Sequence, residues 1–267
     1  MSDFLRTVSA FLVRDCMHAV SYRLDFALQL LQVLFYVTGL YFLSTIIGAN
    51  AKLDPYGGYL PFAAIGLAVG SYFQTGFDSF SKAIQREQMQ GTLEALLMSP
   101  LRLPSFLVAT SAWPFLWKAM TSLVYVVAAV VLYDIEIYGD PVLALGFLLL
   151  TTLVFSSLGI VSASFVMVFK RGDPVGMLVG GVSTLLGGVY YPVSAMPTWM
   201  QDLAYLLPIT HALDAIRGLL LQGMGLADVL PQLWVLLGFA VVLLPMSLVT
   251  FQYAVRRALR EGSLLHY

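Results

Sequence analysis

Long apolar runs separated by short polar segments dominate this chain. Six runs of roughly 20 residues hold no charged side chain, apart from Lys118 in the third; they are 26–48, 58–77, 116–133, 142–169, 175–193 and 229–253. A hydrocarbon core of about 30 Å is crossed by about 20 helical residues at 1.5 Å each. Because every backbone polar group must be paired inside lipid, the pattern predicts an all-α membrane protein with six transmembrane helices.

The chain begins with a different pattern. In residues 1–25, apolar side chains at Phe4, Leu5, Val8, Phe11 and Leu12 recur at helical spacing, while Arg6 and Arg14 fall mostly on other sides. This pattern is typical of an amphipathic helix that lies in the membrane interface. The early charges and the absence of a small-residue cleavage site make a signal peptide an unfavourable interpretation.

The third run leaves two interpretations open. Residues 103–117 are also apolar, but Pro104 and Pro114 interrupt them and Lys118 follows. We predict a span that begins near Leu116 after an interfacial lead-in. The alternative is one long tilted helix, which would bury Lys118 and direct it toward the bundle or a wet cavity.

A cytoplasmic segment, 81–103, is too organised to be a simple connector. After Gly91, leucines and carboxylates form one or two amphipathic turns, which Ser99-Pro100 ends because proline disfavours helical geometry in the preceding residue. Thr92 is a candidate helix N-cap. Such a helix either inserts into a groove on another protein or places its leucines under the bilayer, and composition favours neither.

The segment 194–228 precedes the last run. Its leucines form the apolar faces of two short helices broken at Pro208, each too short to cross a bilayer. We predict an external re-entrant helical hairpin. Asp214 and Arg217 are three residues apart, and we favour an ion pair between them over direct substrate binding. The spacings Gly66-x-x-x-Gly70 and Gly176-x-x-x-Gly180 predict close helix packing.

Composition and charge narrow the function. With 59% hydrophobic and 11% charged residues and a mean hydropathy of +0.84, an ordinary soluble domain is excluded. The net charge of −1 gives no indication of nucleic-acid binding, and one cysteine with three scattered histidines predicts neither a disulfide nor a metal site. If the N-terminus is cytoplasmic, eleven Lys and Arg residues lie inside, and only Lys52 and Arg217 lie outside. The positive-inside rule therefore places both termini in the cytoplasm.

Three motifs resemble the membrane (permease) subunit of type 2 ATP-binding-cassette (ABC) exporters. The first is EQMQGTLEALLMSP at 87–100, and the second is KRGDP at 170–174. The third is Tyr190-Tyr191-Pro192, followed by Met196-Pro197, Trp199, LPIT at 207–210 and AIR at 215–217. The resemblance covers essentially the whole chain as a single transmembrane domain, 1–267.

The resemblance implies a permease that forms a homodimer or pseudo-dimer and docks on a dimer of separate ATP-binding subunits. It implies that the coupling contacts to the ATPase come from Glu87, Gly91, Thr92, Leu93 and Glu94. The hairpin would close the outward exit, with gate or pathway residues Tyr190, Tyr191, Pro192, Pro197, Pro208 and Arg217. The chain has no phosphate-loop motif, so we expect no enzyme activity and no cofactor in it, with Mg-ATP bound by the partner subunit.

The family exports drugs, lipids and polysaccharides. Apolar spans favour a hydrophobic or amphipathic substrate (a drug, a lipid or a lipid-linked molecule) that leaves the cytoplasm or inner leaflet of a prokaryotic plasma (inner) membrane. A polysaccharide exporter of the same family is one alternative. The other is a gradient-driven transporter or channel, which would place ionisable residues within its spans, where Lys118 and Asp78 are the candidates.

Overall fold

Helices make up the structure. The computed structural model describes residues 2–21, 23–92, 103–169 and 173–261, and within these ranges there is no β-strand, which confirms the all-α prediction. The helices are α1 (Ser2–Ser21), α2 (Arg23–Ile47), α3 (Tyr59–Met89), α4 (Leu103–Tyr133), α5 (Pro141–Phe169), α6 (Pro174–Leu186), α7 (Thr198–Tyr205), α8 (Pro208–Leu221) and α9 (Leu230–Glu261). Short 3-10 turns occupy Asp54–Tyr56 and Val193–Ala195.

Four helices of the described ranges are long and apolar enough to cross a membrane: Ala27–Ile47, Ser105–Tyr133, Pro141–Phe169 and Leu230–Ala258. They correspond to the first, third, fourth and sixth predicted runs. By length and apolar composition, α7 and α8, which meet at 89°, would add a fifth candidate if they were counted as one broken span. The bend falls before Pro208, where the sequence predicts it, because proline has no N–H to continue a helix from the preceding turn.

The second predicted run lies in a longer helix. Run 58–77 forms the first part of α3, but the helix continues to Met89 and carries Asp78, Lys82 and Arg86 beyond the run. At 1.5 Å per residue α3 is about 46 Å long, which exceeds a hydrocarbon core of about 30 Å. The predicted coupling segment, 81–103, therefore begins inside α3.

The third predicted run, 116–133, lies within a longer helix. Helix α4 runs unbroken from Leu103 through Pro114 to Tyr133, which is the long-helix alternative. Pro104 lies in the first turn, where no N–H is needed, and the single bond lost at Pro114 does not end a helix that neighbouring helices support. Helix α1 packs beside its first half, where the rings of Phe11 and Phe106 meet edge to face at 6.2 Å.

The fifth predicted run, 175–193, is not one continuous helix. Helix α6 ends at Leu186, and Gly188 follows with a φ of +78°, a conformation that favours glycine. At its other end, Asp173 accepts hydrogen bonds from the Gly176 N–H (2.7 Å) and from the Ser162 hydroxyl of α5. This N-cap, with Pro174 in the first turn, gives a structural role to the end of the KRGDP motif; residues 170–172 lie outside the described ranges.

Helix α3 is the centre of the bundle and packs against α2, α4, α5, α6 and α8. The rings of Phe73 and Phe155 meet at 4.0 Å, and a side chain at Gly159 would press on the Gly76 and Phe77 carbonyl groups, so α3 and α5 approach closely. The main core cluster extends from this contact to the inner face of α8, where Leu213 and Leu219 are fully buried. One helix thus contacts both the predicted coupling segment and the predicted hairpin.

Candidate functional site

A Schellman motif ends α3 at the predicted coupling segment. The Gly91 N–H donates to the Gln88 carbonyl (3.1 Å) and the Thr92 N–H donates to the Glu87 carbonyl (3.0 Å). Gly91 has a φ of +69°, the left-handed conformation that this motif requires. The chain therefore leaves α3 in a direction fixed by backbone hydrogen bonds.

Side chains reinforce this turn. The Thr92 hydroxyl donates to the Glu87 carboxylate at 2.6 Å, and both Gly91 and Thr92 are exposed. Three of the five predicted coupling residues are thus brought together at the surface. Leu93 and Glu94 lie outside the described residues, as does the helix that Thr92 is predicted to cap.

Asp78 belongs to a polar row along α3. Its carboxylate contacts the Lys82 ammonium at 2.6 Å and accepts a hydrogen bond from the Gln74 amide at 2.9 Å. This charge is paired within its own helix. The contact is of the i,i+4 type, which contributes little to stability when it is exposed.

The opposite end of α3 meets a fully buried arginine. Arg217 on α8 is 2% exposed, and its guanidinium donates to the carbonyl groups of Phe62 (3.0 and 3.2 Å), Gly188 (2.7 Å) and Val189 (3.0 Å). The guanidinium carbon also lies 3.5 Å from the centre of the Phe62 ring. We call this set the Arg217 clamp. It joins α3, α8 and the turn after α6, which are far apart in sequence.

Gly66 makes the Arg217 clamp possible. A Cβ at this position would collide with both the Val189 carbonyl oxygen and the Arg217 guanidinium, and a Cβ at Gly70 would lie 3.1 Å from the Val189 side chain. The predicted close packing of the Gly66-x-x-x-Gly70 stripe is therefore present. Its neighbour is the turn after α6 and not a second helix.

The predicted ion pair between Asp214 and Arg217 is wrong. The hydrogen bonds of Arg217 to described residues all go to backbone carbonyl groups, and the ion pairs found within the described ranges are Arg14–Asp15 and Lys82–Asp78. The Arg217 guanidinium reaches carbonyl oxygens of α3 and of the turn after α6. Burial and then the Asp214 carboxylate raise the pKa of the Tyr56 hydroxyl, which Arg217 lowers.

The other predicted gate residues surround the Arg217 clamp along the chain. Pro192 precedes a 3-10 turn, Pro197 precedes α7 and Pro208 is the first residue of α8. The Tyr191 hydroxyl donates to the Leu185 carbonyl at 2.6 Å, whereas Tyr190 is 42% exposed. These prolines shape the hairpin by starting its elements, and the Tyr190 side chain is exposed beside them.

Sequence reasoning missed three residues of this site. Phe62, Gly188 and Val189 contribute carbonyl groups to the Arg217 clamp, and a backbone carbonyl has no residue signature. The available signals were the two pairs Gly66/Gly70 and Gly187/Gly188, which mark close approaches without naming what approaches. In the described ranges no group of three or more His, Cys, Asp and Glu residues is arranged to hold a metal ion.

Comparisons with known proteins identify the family of this chain. The model of the ABC-2 type transporter family matches residues 11–221. Nodulation protein J of Rhizobium leguminosarum bv. trifolii is 30% identical over 181 residues, which cover 65% of this chain and 67% of that protein. The probable multidrug ABC transporter permease YbhR of Escherichia coli (strain K12) is 27% identical over 158 residues, which cover 59% of this chain and 43% of that protein. Since the family match covers most of the chain, this protein belongs to the ABC-2 type transporter family of membrane permeases.

Proposed function

We propose that this chain is the permease subunit of an ATP-driven exporter. Two copies would associate in the membrane and dock on a dimer of ATP-binding subunits, which bind and hydrolyse Mg-ATP. The observation that supports this most is the position of α3, a single 31-residue helix with an exposed, rigid turn at one end and the Arg217 clamp at the other. Membership in a transporter permease family supports the same conclusion.

In this proposal, the 87–94 segment receives the force from the ATPase. The Glu87–Thr92 contact and the Schellman motif would make the turn move with α3 as one unit. At the far end, Arg217 holds the Phe62 carbonyl, so a displacement of α3 would be passed to α8 and to the turn after α6. ATP-driven closure of the partner subunits would then bias the bundle between inward-facing and outward-facing states.

We propose six crossings with both termini in the cytoplasm of a prokaryotic cell and with α1 in the interface. The fourth and sixth crossings would be α5 and α9. The fifth would use α6, which covers about 20 Å at 1.5 Å per residue, together with the turn that follows it. The hairpin α7–α8 would remain on the outer side as a re-entrant element, held over the bundle by the Arg217 clamp.

We propose a hydrophobic or amphipathic small molecule or lipid as the substrate. The long helices expose apolar side chains along most of their length, and one relative carries the name of a probable multidrug permease. The gradient-driven alternative uses ionisable groups within the spans, where Asp78 and Lys118 are its candidates. Asp78 is paired with Lys82 and Gln74, which leaves Lys118 as its remaining candidate.

Capture of the ATPase tests the proposal. The purified chain in lipid nanodiscs should bind the ATP-binding subunit expressed with it and raise its ATPase rate. Glu94→Lys should abolish capture because it reverses a charge in the proposed contact, whereas Glu136→Lys, in the loop between α4 and α5, should bind as the wild type does. Failure of the folded wild-type chain to bind any such subunit would contradict the proposal.

A further inference from the structure

A cation lies between helices of the described bundle without a partner. Lys118 is half-buried on α4, within the apolar stretch Ser105–Tyr133, and forms neither a hydrogen bond nor an ion pair with the described residues. A lysine at such a position is costly unless its ammonium group meets an anion or water. The function proposed above does not use this residue.

The neighbouring contacts show which way Lys118 points. Trp117 donates from Nε1 to the Gln29 side chain of α2 at 2.6 Å, and the Ser122 hydroxyl donates to the Ala68 carbonyl of α3 at 3.0 Å. At 100° per residue, position 118 lies between these two directions on α4. Lys118 therefore faces the junction of α2, α3 and α4, opposite to the exposed stripe of Leu116, Met120 and Leu123.

Two observations place this junction close to a membrane boundary. Helix α4 ends at Tyr133, and 30 Å of hydrocarbon measured back from there reaches the neighbourhood of Trp113. Trp113 and Trp117 stack at 6.0 Å, as expected of aromatic residues at the membrane interface. The partner of Trp117, Gln29, comes two residues after the start of the apolar segment Ala27–Ile47. Lys118 thus lies about 7 Å inside the boundary, within reach of the headgroup level for a lysine stem.

We propose that Lys118 binds the phosphate group of an anionic phospholipid in the leaflet on the Gly91 side, at the junction of α2, α3 and α4. Basic positions between transmembrane helices are established sites for anionic headgroups. The turn of α2 that adjoins Gln29 exposes Leu28 (54%) and Leu31 (48%), an apolar surface suited to the acyl chains. The proposal concerns the permease alone and does not rest on the proposed function.

The protein supplies its own reporter for this site. Trp199 and Trp234 are exposed, so Trp199→Phe together with Trp234→Phe leaves Trp113 and Trp117 as the fluorophores beside Lys118. This variant is reconstituted in phosphatidylcholine vesicles that contain one brominated lipid, which is either phosphatidylglycerol or phosphatidylcholine. In both lipids the bromine atoms lie high in the acyl chain. We expect a given amount of brominated phosphatidylglycerol to quench the tryptophan fluorescence as strongly as a roughly fivefold larger amount of brominated phosphatidylcholine. This factor is the preference for an anionic lipid that one lysine near the surface confers.

Substitutions of Lys118 decide the result. Lys118→Gln should remove the preference and Lys118→Arg should keep it, while Lys52→Gln, whose ammonium donates to the Ser194 carbonyl, should leave it unchanged. Circular dichroism and gel filtration establish that each variant is folded. Equal quenching by the two lipids when Lys118 is present, or a preference for phosphatidylglycerol that survives Lys118→Gln, would overturn the proposal.

Discussion

Replacing Arg217 with methionine should release the hairpin from α3. Methionine keeps most of the apolar volume against the Phe62 ring but removes every hydrogen bond to the Phe62, Gly188 and Val189 carbonyl groups. Lysine keeps the charge but presents a single ammonium group in place of a planar fork. We therefore expect Arg217→Lys to lie between wild type and Arg217→Met in stability.

The magnitude follows from the carbonyl groups left behind. Gly188 and Val189 lie in a turn, so their carbonyl groups gain no helical partner when the guanidinium is lost, and each unpaired buried acceptor costs about 1–3 kcal/mol. Arg217→Met also removes the cost of burying the guanidinium charge, but it gives the Gly188 and Val189 carbonyl groups no new hydrogen-bond donor. For the two carbonyl groups the sum is about 2–6 kcal/mol of unfolding free energy. For a chain of this size, this corresponds to a fall in Tm of about 10 °C.

Thermal unfolding in detergent, followed by tryptophan fluorescence, measures this fall. Gly66→Ala provides an independent approach because its Cβ would displace the same guanidinium from α3. Its matched control is Gly146→Ala on α5, where a Cβ meets nothing within 4 Å and alanine improves helix propensity. A Tm for Arg217→Met within about 2 °C of wild type, or no difference between the two glycine variants, would refute the account of the Arg217 clamp.

Three further predictions concern α3 and the start of α6. Gly91→Ala should weaken the turn by about 1 kcal/mol and lower the amount of substrate transported per ATP hydrolysed. Gly91→Asn should have a smaller effect on both, because asparagine tolerates the left-handed conformation. The control Gly238→Ala should change neither the stability of the turn nor the transport per ATP. Asp173→Ala should cost about 1–2 kcal/mol through the lost N-cap, whereas Asp173→Asn should keep most of it, as Tm will show. Asp78→Asn should change the unfolding free energy by less than about 1 kcal/mol because Lys82 is exposed; a larger loss would mean that the pair is buried in the assembly.

Apolar run length was sufficient to predict the long helices. Helices α2, α4, α5 and α9 each cover a predicted run to within one residue, because a lipid-exposed helix needs apolar residues on nearly every side. The same rule did not show that α4 continues from Leu116 back to Leu103. It treated Pro114 as an end, although one missing backbone hydrogen bond is tolerated where α1 and the neighbouring helices hold both sides of the proline.

Contacts between distant parts of the chain could not be predicted this way. Residue spacing on α8 identifies only neighbours three or four positions away, which is why Asp214 was favoured as the partner of Arg217. The actual partner atoms are backbone oxygens, and that of Phe62 lies 155 residues away in sequence. Similarly, the break after Leu186 depends on a glycine turn whose carbonyl groups are held by Arg217. The resemblance to the family motifs identified these segments without showing their contacts.

The energy source of transport tests the central claim most directly. Inverted membrane vesicles that contain this chain and its ATP-binding subunit are loaded externally with a fluorescent amphipathic dye, and dye accumulation is followed with and without ATP. We predict accumulation that requires ATP and continues when ionophores collapse all ion gradients. Accumulation driven by an imposed ion gradient without ATP would contradict the claim that this chain is an ATP-driven permease.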